Sequence, residues 1–261
     1  MSQLECIEAG FQAGSKTLLS GVTARLSPGR FCAILGPNGA GKSTLLSLLS
    51  GQRRPTRGEV RLDEQPIDRH ANAALALRRA VMPQESSVAF DFNAQEVVTL
   101  GRLPHRAAPE ANEGEIVADA MALTGVSALG PRILNTLSGG EKARVHLARA
   151  LAQLWNPRPD GSSRWLLLDE PTAALDVAHQ HSSMALVRRW AAQGAGVVAV
   201  LHDLNLALRY ADEVIVLGSG RAMVQGPTAQ VLQPALVREV WRTGCELVTG
   251  QDGAPQYLFG A

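Results

Sequence analysis

Short, uniformly apolar runs alternate along this chain with longer stretches in which apolar residues recur every three or four positions. The short runs are typical of strands buried on both faces of a parallel sheet, and they lie at 30–35, 165–168, 197–201 and 214–217. The helical spacing is clearest at 44–49 and 141–155. This alternation predicts an α/β fold whose sheet is mainly parallel.

Two other regions predict antiparallel structure. The first 30 residues and residues 58–67 resemble hairpin strands, which we expect at one edge of the core. Gly218-Ser219-Gly220 lies between two apolar runs and predicts a tight hairpin turn. The sheet is therefore predicted to be parallel in its centre and antiparallel at an edge.

The whole chain, residues 1–261, is predicted to be one domain with three parts. A mostly helical lobe interrupts the core, and a loop at 156–164, rich in Pro, Gly and Ser, leads back to it. After Gly226-Pro227 the pattern predicts a packed helix and then a short irregular tail. The parts are the core at 1–84 and 156–227, the helical lobe at 85–155 and the C-terminal extension at 228–261.

Composition, charge and cysteine spacing argue against nucleic-acid binding, a disulfide-stabilised secreted protein and a membrane-spanning chain. Apolar residues make up 46% of the chain, enough for a substantial core, and the net charge of +1 gives no general attraction to nucleic acid or anionic lipid. The three cysteines match neither a metal site nor a disulfide framework, which suits a reducing compartment. The chain begins without the pattern of a secretory signal, and no apolar run approaches the ~18 residues that span a membrane. We therefore expect any membrane role to depend on a partner.

A glycine-rich segment between a predicted strand and a predicted helix is the strongest chemical motif. It fits G-x-x-x-x-G-K-[ST], and its residues are Gly36, Pro37, Asn38, Gly39, Ala40, Gly41, Lys42, Ser43 and Thr44. Such a loop directs several backbone N–H groups toward one anion. Lys42 is predicted to contact the β- and γ-phosphates, and Ser43 to supply a hydroxyl to Mg²⁺. The segment therefore predicts binding of a nucleoside triphosphate.

Two carboxylates follow the apolar run at 165–168. A buried parallel strand would bring Asp169 and Glu170 to the carboxyl edge of the sheet, where nucleotides bind in open α/β folds. Asp169 is predicted to hold Mg²⁺ directly or through water, and Glu170 to polarise the water that attacks the γ-phosphorus. Without the glycine-rich segment, the same residues would equally describe a strand that ends in a solvated acidic turn.

A second phosphate-binding element is predicted at Leu137-Ser138-Gly139-Gly140-Glu141. Ser138 and Glu141 have the spacing of a capping box, and a helical pattern follows them. The start of this helix would present the backbone donors of Ser138, Gly139 and Gly140 to an anion. The structural alternative is an ordinary capped helix.

Four single residues are weaker candidates, each with a structural alternative. His202 follows the run at 197–201 and is predicted to hydrogen-bond the γ-phosphate and position the attacking water, although a lone histidine is more often structural. Gln84 is a candidate to reach Mg²⁺ or this water. Phe11 is a candidate to stack on a base or to occupy the core, and Asp176 is typical of a helix N-cap.

Together these motifs resemble the ATPase subunit of ABC transporters over nearly the whole chain. That family has a P-loop, a Q-loop glutamine, an LSGGE signature, a Walker B aspartate with a catalytic glutamate, a D-loop and a switch histidine in this order. The matching positions here are 36–44, Gln84, 137–141, Asp169 with Glu170, 174–176 and His202. The resemblance also implies that Phe11 stacks on adenine and that Asp176 belongs to the D-loop.

The resemblance implies a homodimer that uses ATP and Mg²⁺. Two subunits of the family pack head to tail, so that ATP bound at Lys42 of one is covered by residues 138–140 of the other. ATP then holds the dimer together, and hydrolysis opens it. Lys142 and Ala173 replace the glutamine and serine that the family often has, but neither change removes a phosphate ligand or the general base.

The segment after Gln84 narrows the transporter class. Residues 91–105 resemble the ATPases of iron-siderophore, cobalamin and haem importers, and residues 156–164 resemble those of haemin importers most. The implied partners are two transmembrane permease subunits and, indirectly, a periplasmic haem-binding protein, with no nucleic acid. The implied location is the cytoplasmic face of the bacterial inner membrane. Arg102 and His105 are candidates for contacts with the permease or for a solvated helix end.

Two alternatives to haem import stay open. The cargo is an iron-siderophore or cobalamin in the first, because an ATPase subunit does not touch the cargo and its chemistry does not specify it. In the second, the chain is a soluble ABC-type ATPase of translation or DNA maintenance. The single P-loop, the single signature and the near-neutral charge disfavour that second alternative.

Overall fold

The computed structural model describes residues 3–84 and 91–260, which contain twelve strands and nine α-helices. The strands are β1 (Leu4–Ala13), β2 (Lys16–Leu26), β3 (Phe31–Leu35), β4 (Arg57–Leu62), β5 (Gln65–Pro66), β6 (Arg79–Met82), β7 (Trp165–Asp169), β8 (Gly196–Val200), β9 (Glu213–Gly218), β10 (Arg221–Pro227), β11 (Gly244–Thr249) and β12 (Pro255–Gly260). The helices are α1 (Lys42–Leu49), α2 (Asn72–Arg78), α3 (Ala94–Thr99), α4 (Glu113–Leu123), α5 (Gly139–Gln153), α6 (Val177–Ala192), α7 (Leu204–Tyr210), α8 (Thr228–Val231) and α9 (Pro234–Trp241).

The central sheet has the strand order β10-β9-β3-β8-β7-β6. Strands β3, β6, β7, β8 and β9 are parallel, and β10 is an antiparallel edge strand. Every residue of β3 and β8 is buried, because α1 packs on one face of the sheet and α5, α6 and α7 pack on the other. The predicted α/β fold is confirmed, and the four predicted core strands differ from the observed strands by at most one residue at each end.

The N-terminal strands form a separate antiparallel sheet in the order β2-β1-β4-β5. Its apolar face packs on α1 and forms a core shared with one face of the central sheet. The two sheets meet at the turn between β9 and β10, where the Ser20 N–H donates to Gly220 O over 2.7 Å. Ser219 and Gly220 both have positive φ, as a tight I′-type hairpin turn requires. The predicted hairpin turn and antiparallel strands are therefore confirmed, although most of these strands lie outside the central sheet.

Helices α3, α4 and α5 and short 3₁₀ segments form the region from 91 to 155. Their apolar faces build a core of their own, which includes Val97, Ile116, Leu134 and Val145. The predicted helical character is confirmed for these residues. The helices are too short to be stable alone, and packing around this core stabilises them. The predicted start of the helical lobe at Glu85 lies outside the described residues.

Arg102 ties this helical region together from inside. Its buried guanidinium pairs with Glu113, with Nε–Oε2 at 2.5 Å and Nη2–Oε1 at 2.9 Å, and Nη1 donates to Ala152 O over 2.7 Å. His105 Nε2 lies 2.9 Å from Gln153 O. The prediction that Arg102 contacts a permease or lies at a solvated helix end is therefore wrong, because its donors are all directed into the protein.

The loop at 156–164 is free of helix and strand, as predicted. Arg164, at the end of the loop, is buried. Its Nη1 donates to the carbonyls of Leu154 (2.5 Å) and Trp155 (2.7 Å), the two residues that directly follow α5. Its Cζ lies 5.9 Å from the ring centroid of Trp190 on α6. The loop is thus anchored by a cation that satisfies two carbonyls at the end of a helix.

The C-terminal extension ends in a β-hairpin. Helices α8 and α9 follow β10, and β11 then pairs with β12 in antiparallel register. Tyr257 is buried among the residues of the core, and its hydroxyl donates to Leu232 O over 2.6 Å. The predicted packed helix is present as two short helices, whereas the predicted irregular tail is wrong. One anchored tyrosine fixes the hairpin, although most of its other side chains are exposed or only partly buried.

Candidate functional site

The glycine-rich segment at 36–44 forms the turn between β3 and α1, at the carboxyl edge of the central sheet. Two of its glycines are required by close approaches of the backbone. Gly41 has a φ of 95°, and a Cβ there would lie 2.8 Å from Leu18 O. A Cβ at Gly36 would lie 2.3 Å from Leu217 O. Only glycine therefore fits at these two positions, and the turn presents its backbone above the N-terminus of α1, where an anion is stabilised.

Lys42 is the cation of this turn. Its side chain is buried, and Nζ donates to the carbonyl oxygens of Gly36 (2.9 Å) and Pro37 (3.1 Å). Burial lowers the pKa of Lys42, while the nearby carboxylates of Glu170 and Asp169 act in the opposite direction. A phosphate above the turn would offer charged oxygens in place of two neutral carbonyls.

Ser43 and Asp169 meet beside Lys42. Ser43 Oγ donates to Asp169 Oδ1 over 3.0 Å, which joins the start of α1 to the end of β7. Burial raises the pKa of Asp169, and the hydrogen bond from Ser43 opposes that shift. The pair fits Mg²⁺, which binds hydroxyl and carboxylate oxygens and takes its other ligands from water and phosphate. Within 3–84 and 91–260, no group of three or more His, Cys, Asp and Glu side chains forms a metal site made by protein alone.

Glu170 is held between two side chains from neighbouring strand ends. His202 Nε2 lies 2.6 Å from Oε1, and Gln84 Nε2 donates to Oε2 over 2.8 Å. The side chain of Glu170 is 14% exposed and that of His202 is 44% exposed, so the histidine reaches solvent while the carboxylate is sheltered. Glu170 also has a φ of 50°, a strained value for a residue with a side chain. The structure thus brings Gln84, Glu170 and His202 together at a cost in backbone strain.

An open cavity of about 670 Å³ contains these groups. Most residues of the 36–44 turn line it, together with Gln84, Glu170 and His202. Lys16 and Leu18 also line it, and no sequence motif marked them, because only the pairing of β2 beside the turn brings them there. A larger hollow of about 760 Å³ lies on the other side of the turn, but neither Lys42 nor Glu170 faces it.

Phe11 does not line this cavity. Its ring is half-buried and packs against the core of the N-terminal sheet, and Arg53 Cζ lies 5.2 Å from the ring centroid. Such a distance is typical of a cation–π contact. The structure therefore gives Phe11 the core position that the sequence left open, and it does not bring Phe11 to the nucleotide-sized cavity.

The LSGGE segment at 137–141 starts α5. Ser138 Oγ accepts from the Glu141 N–H (3.3 Å), and Glu141 Oε2 accepts from the Ser138 N–H (2.8 Å), which confirms the predicted capping box. These bonds hold the pKa of Glu141 below its ordinary value. Ser138 and Gly139 are exposed, so the positive end of a helix of 15 residues lies at the surface.

This helix start lies outside the cavity that holds Lys42. Gly139 and Lys142 instead border a separate hollow of about 380 Å³. Gln84 and Glu170 line both hollows, so they stand between the signature helix and the glycine-rich turn. Within one chain, the structure therefore does not bring the two predicted phosphate-binding elements to the same space.

Asp176 is the N-cap of α6, as predicted. Its Oδ1 accepts from the His179 N–H over 2.9 Å, and His179 Nδ1 lies 2.9 Å from both carboxylate oxygens. The hydrogen bonds from His179 hold the pKa of Asp176 below its ordinary value. Its side chain is 67% exposed and does not line the cavity of its own chain. Any contact of Asp176 with a nucleotide site therefore requires a second molecule.

Known proteins resemble this chain in sequence over most of its length. The "Hemin import ATP-binding protein HmuV" of Gloeobacter violaceus is 46% identical over 256 residues, which cover 94% of this chain and 93% of that protein. The protein of the same name from Pseudomonas aeruginosa is 48% identical over 228 residues, which cover 87% and 88%.

Solved structures and a family profile agree with this similarity. An ABC transporter assigned to the metal-chelate type, in an inward-facing conformation, has a TM-score of 0.81 at 25% identity and covers 100% of this chain and 98% of its own. The dimeric ABC transporter cassette MJ0796 has a TM-score of 0.75 at 26% identity, with 86% and 98% covered. The profile of the ABC transporter family matches residues 19–173. On these similarities and the geometry of the site, the chain belongs to the ABC transporter family.

Proposed function

We propose that this chain is the ATP-hydrolysing, energy-coupling subunit of an ABC importer whose cargo is haem. The observation that supports hydrolysis best is the Glu170 carboxylate held between His202 and Gln84 in the same cavity as Lys42. A positioned carboxylate beside a phosphate-binding turn is what water activation needs. The two hemin import ATP-binding proteins, 46% and 48% identical to this chain, support haem as the cargo.

Each part of the cavity has a role in this proposal. The backbone N–H groups of the 36–44 turn and Lys42 bind the β- and γ-phosphates of ATP. Ser43 and Asp169 hold Mg²⁺, which neutralises phosphate charge when bound. Glu170 accepts the proton of the attacking water, Gln84 orients Glu170 and the water, and His202 donates to the γ-phosphate from the solvent side.

A second copy of the chain completes the proposed site. The start of α5, where Ser138 and Gly139 are exposed, does not line the cavity of Lys42 in its own chain, so one chain alone brings no phosphate to residues 138–140. Head-to-tail pairing of two chains would lay them over the nucleotide of the partner, with Asp176 at the same interface. The dimer of the MJ0796 cassette, at a TM-score of 0.75, supports this assembly.

The proposed membrane partners are two permease subunits, to which a periplasmic haem-binding protein delivers the cargo. In the part of the chain that the structure describes, no helix is both long and apolar enough to span a bilayer. Leu103 is 55% exposed in the segment that resembles importers, and it is the candidate contact with the permease. The proposed location is the cytoplasmic face of the bacterial inner membrane.

A second candidate cargo is another metal chelate, such as an iron-siderophore or cobalamin. The transporter of metal-chelate type matches the whole chain with a TM-score of 0.81, which favours this candidate. Its 25% identity is lower than the 46% and 48% of the hemin import proteins, so haem is preferred.

Reconstitution of the chain with its permease in vesicles tests both parts of the proposal. Phosphate release should rise several-fold when haem-loaded binding protein is inside, and Lys42→Ala should abolish it, because no other cation of the turn faces the phosphates. Normal ATP hydrolysis by Lys42→Ala would contradict the ATPase assignment. Stimulation by a ferric siderophore or cobalamin, and not by haem, would replace the cargo. Recovery of the chain only with ribosomes or DNA would favour a soluble ATPase instead.

A further inference from the structure

The turn between β7 and α6, residues 170–176, connects the two phosphate-facing parts of one chain. At its start, Glu170 O accepts from the Ala173 N–H over 3.2 Å. In its middle, Ala174 contacts the start of the signature helix, where a Cβ added at Gly140 would lie 2.9 Å from Ala174 O. A Cβ added at Gly139 would lie 3.2 Å from Ala174 Cβ. The turn therefore begins at Glu170 and lies against the start of the signature helix at Ala174.

Gln180, in the first turns of α6, braces the 170–176 turn. Its Nε2 donates to Thr172 O over 3.2 Å and to Leu175 O over 3.1 Å. The Leu175 N–H also donates to Thr172 O over 3.1 Å, so the amide closes a small hydrogen-bonded ring. Asp176, the last residue of the turn, is fixed separately by His179. The turn is thus joined to α6 by two adjacent side chains and has little freedom to deform internally.

We propose that Gln180 is a positioning residue that makes the 170–176 turn move as one body. Gln180 does not line the cavity of Lys42, so it acts on the site through the turn. When the ATP beside Glu170 is hydrolysed, the moving turn displaces Gly139 and Gly140, which cover the nucleotide of the partner. This inference rests on the proposed function, because it requires two nucleotide sites that share signature helices.

Gln153 provides a matched control. It is the last residue of α5, at the opposite end of that helix from Gly139. Its Nε2 also donates to two backbone carbonyls, those of Ala76 (2.7 Å) and Arg79 (2.9 Å). Those carbonyls lie at the end of α2 and the start of β6, and none of these residues lines the cavity of Lys42. Leucine is similar in size to glutamine but cannot donate, so Gln180→Leu and Gln153→Leu remove equivalent bonds.

The test compares the two variants with the wild-type full-length chain. ATP hydrolysis is measured across ATP concentrations, and binding of a fluorescent ATP analogue and the midpoint of thermal unfolding are measured in parallel. The wild-type rate should rise sigmoidally with ATP. Loss of coupling between the sites in Gln180→Leu should make this dependence hyperbolic and lower kcat roughly tenfold. The half-saturating ATP concentration and the affinity for the analogue should stay nearly unchanged, because Gln180 does not contact the nucleotide. Both variants should lower the midpoint of thermal unfolding by similar amounts, because each loses two hydrogen bonds from one amide. Gln153→Leu should nevertheless keep the sigmoidal dependence on ATP and the wild-type kcat.

Three results would overturn the inference. These are a sigmoidal, fast Gln180→Leu variant, equal kinetic losses in both variants, and a wild-type chain that hydrolyses ATP without cooperativity. If Gln180→Leu does not fold, Gln180→Asn, whose amide is too short to reach both carbonyls, replaces it with the same expectation. A wild-type chain that does not hydrolyse ATP at all would contradict the proposed function, and this inference with it.

Discussion

At the residue scale, two charged side chains of the candidate site lie where burial opposes their charges. Burial lowers the pKa of Lys42 and raises the pKa of Asp169, because a poorly solvated environment disfavours both charges. A bound phosphate would stabilise the cation, and a bound Mg²⁺ would stabilise the carboxylate. Glu170 adds a strained backbone to this set. These residues are therefore arranged for ligands and not for the stability of the empty protein.

We expect Glu170→Gln to separate nucleotide binding from hydrolysis. The amide keeps the size and polarity of the carboxylate between His202 and Gln84, but it cannot accept a proton from water. Phosphate release should fall by about 10²- to 10⁴-fold, the usual worth of a general base, while binding of a fluorescent ATP analogue persists. Glu246→Gln, an exposed site on β11, is the matched control and should behave as wild type. Normal turnover by Glu170→Gln would assign the proton transfer to another group.

At the element scale, short helices of the helical region are joined by a charged pair as well as by apolar packing. Arg102 in the 3₁₀ segment bonds Glu113 in the first turn of α4, and the same arginine reaches a carbonyl of α5. The hydrogen bonds from Arg102 hold the pKa of Glu113 below its ordinary value. Since the guanidinium is buried, loss of its partner would leave a poorly solvated charge.

We expect Glu113→Gln to destabilise the protein in a manner that depends on pH. The free energy of unfolding at pH 7 should fall by about 2 kcal/mol, the size of a hydrogen bond to a charged group. Because the folded pKa of Glu113 is the lower one, its contribution is complete above the unfolded pKa of about 4.3 and disappears as the pH falls through the folded pKa. Urea unfolding at pH 7 and at successively lower pH measures the difference between variant and wild type.

The control for this experiment is Glu115→Gln. Glu115 lies in the same first turn of α4 but is exposed, so both variants remove one negative charge near the same helix N-terminus. Glu115→Gln should change the free energy of unfolding by only a few tenths of a kcal/mol. A Glu113→Gln effect that is no larger, or that grows at low pH, would contradict the role of the Arg102 pair.

At the scale of the whole molecule, one chain contains two half-sites that face different spaces. The glycine-rich turn opens into one cavity, and the start of α5 lies beside another hollow beyond Gln84 and Glu170. A dimer in which each chain supplies one half to the other would use both. The same arrangement predicts that two differently defective chains complement each other.

We expect Lys42→Ala and Ser138→Asp to be inactive alone and active when mixed. Aspartate caps a helix as well as serine does, but its charge repels the phosphate that residue 138 is proposed to cover. A mixed dimer has one site with both defects and one intact site, so an equimolar mixture should hydrolyse ATP faster than either variant alone. Its rate should stay below about a quarter of the wild-type rate, because only half of the dimers are mixed and each has a single intact site. Phosphate release by the separate and mixed variants measures this. A mixture no faster than its components would contradict a site shared between two chains.

Local sequence patterns predicted more of the site than of the periphery. The turn at 36–44, the carboxylates at 169–170 and His202 follow apolar strands, and a parallel sheet necessarily collects such strand ends at one edge. Arg102 was misjudged because a lone arginine has the same local pattern whether it faces solvent, a partner or the core, and for the same reason the sequence left the position of Phe11 open. The C-terminal hairpin was missed because its strands are mostly exposed and lack a continuous apolar face.

The sequence by itself determined four strands of the parallel core, the bare turn before Lys42 and the capping box at Ser138. These depend on interactions within a few residues, such as backbone geometry and spacing along one element. The tertiary structure alone decided that Gln84 and His202 hold Glu170 and that Lys16 enters the cavity. It also decided that the start of the signature helix lies outside the cavity of Lys42. Those contacts join residues far apart in the chain, so they are fixed only when helices and strands pack against a common core.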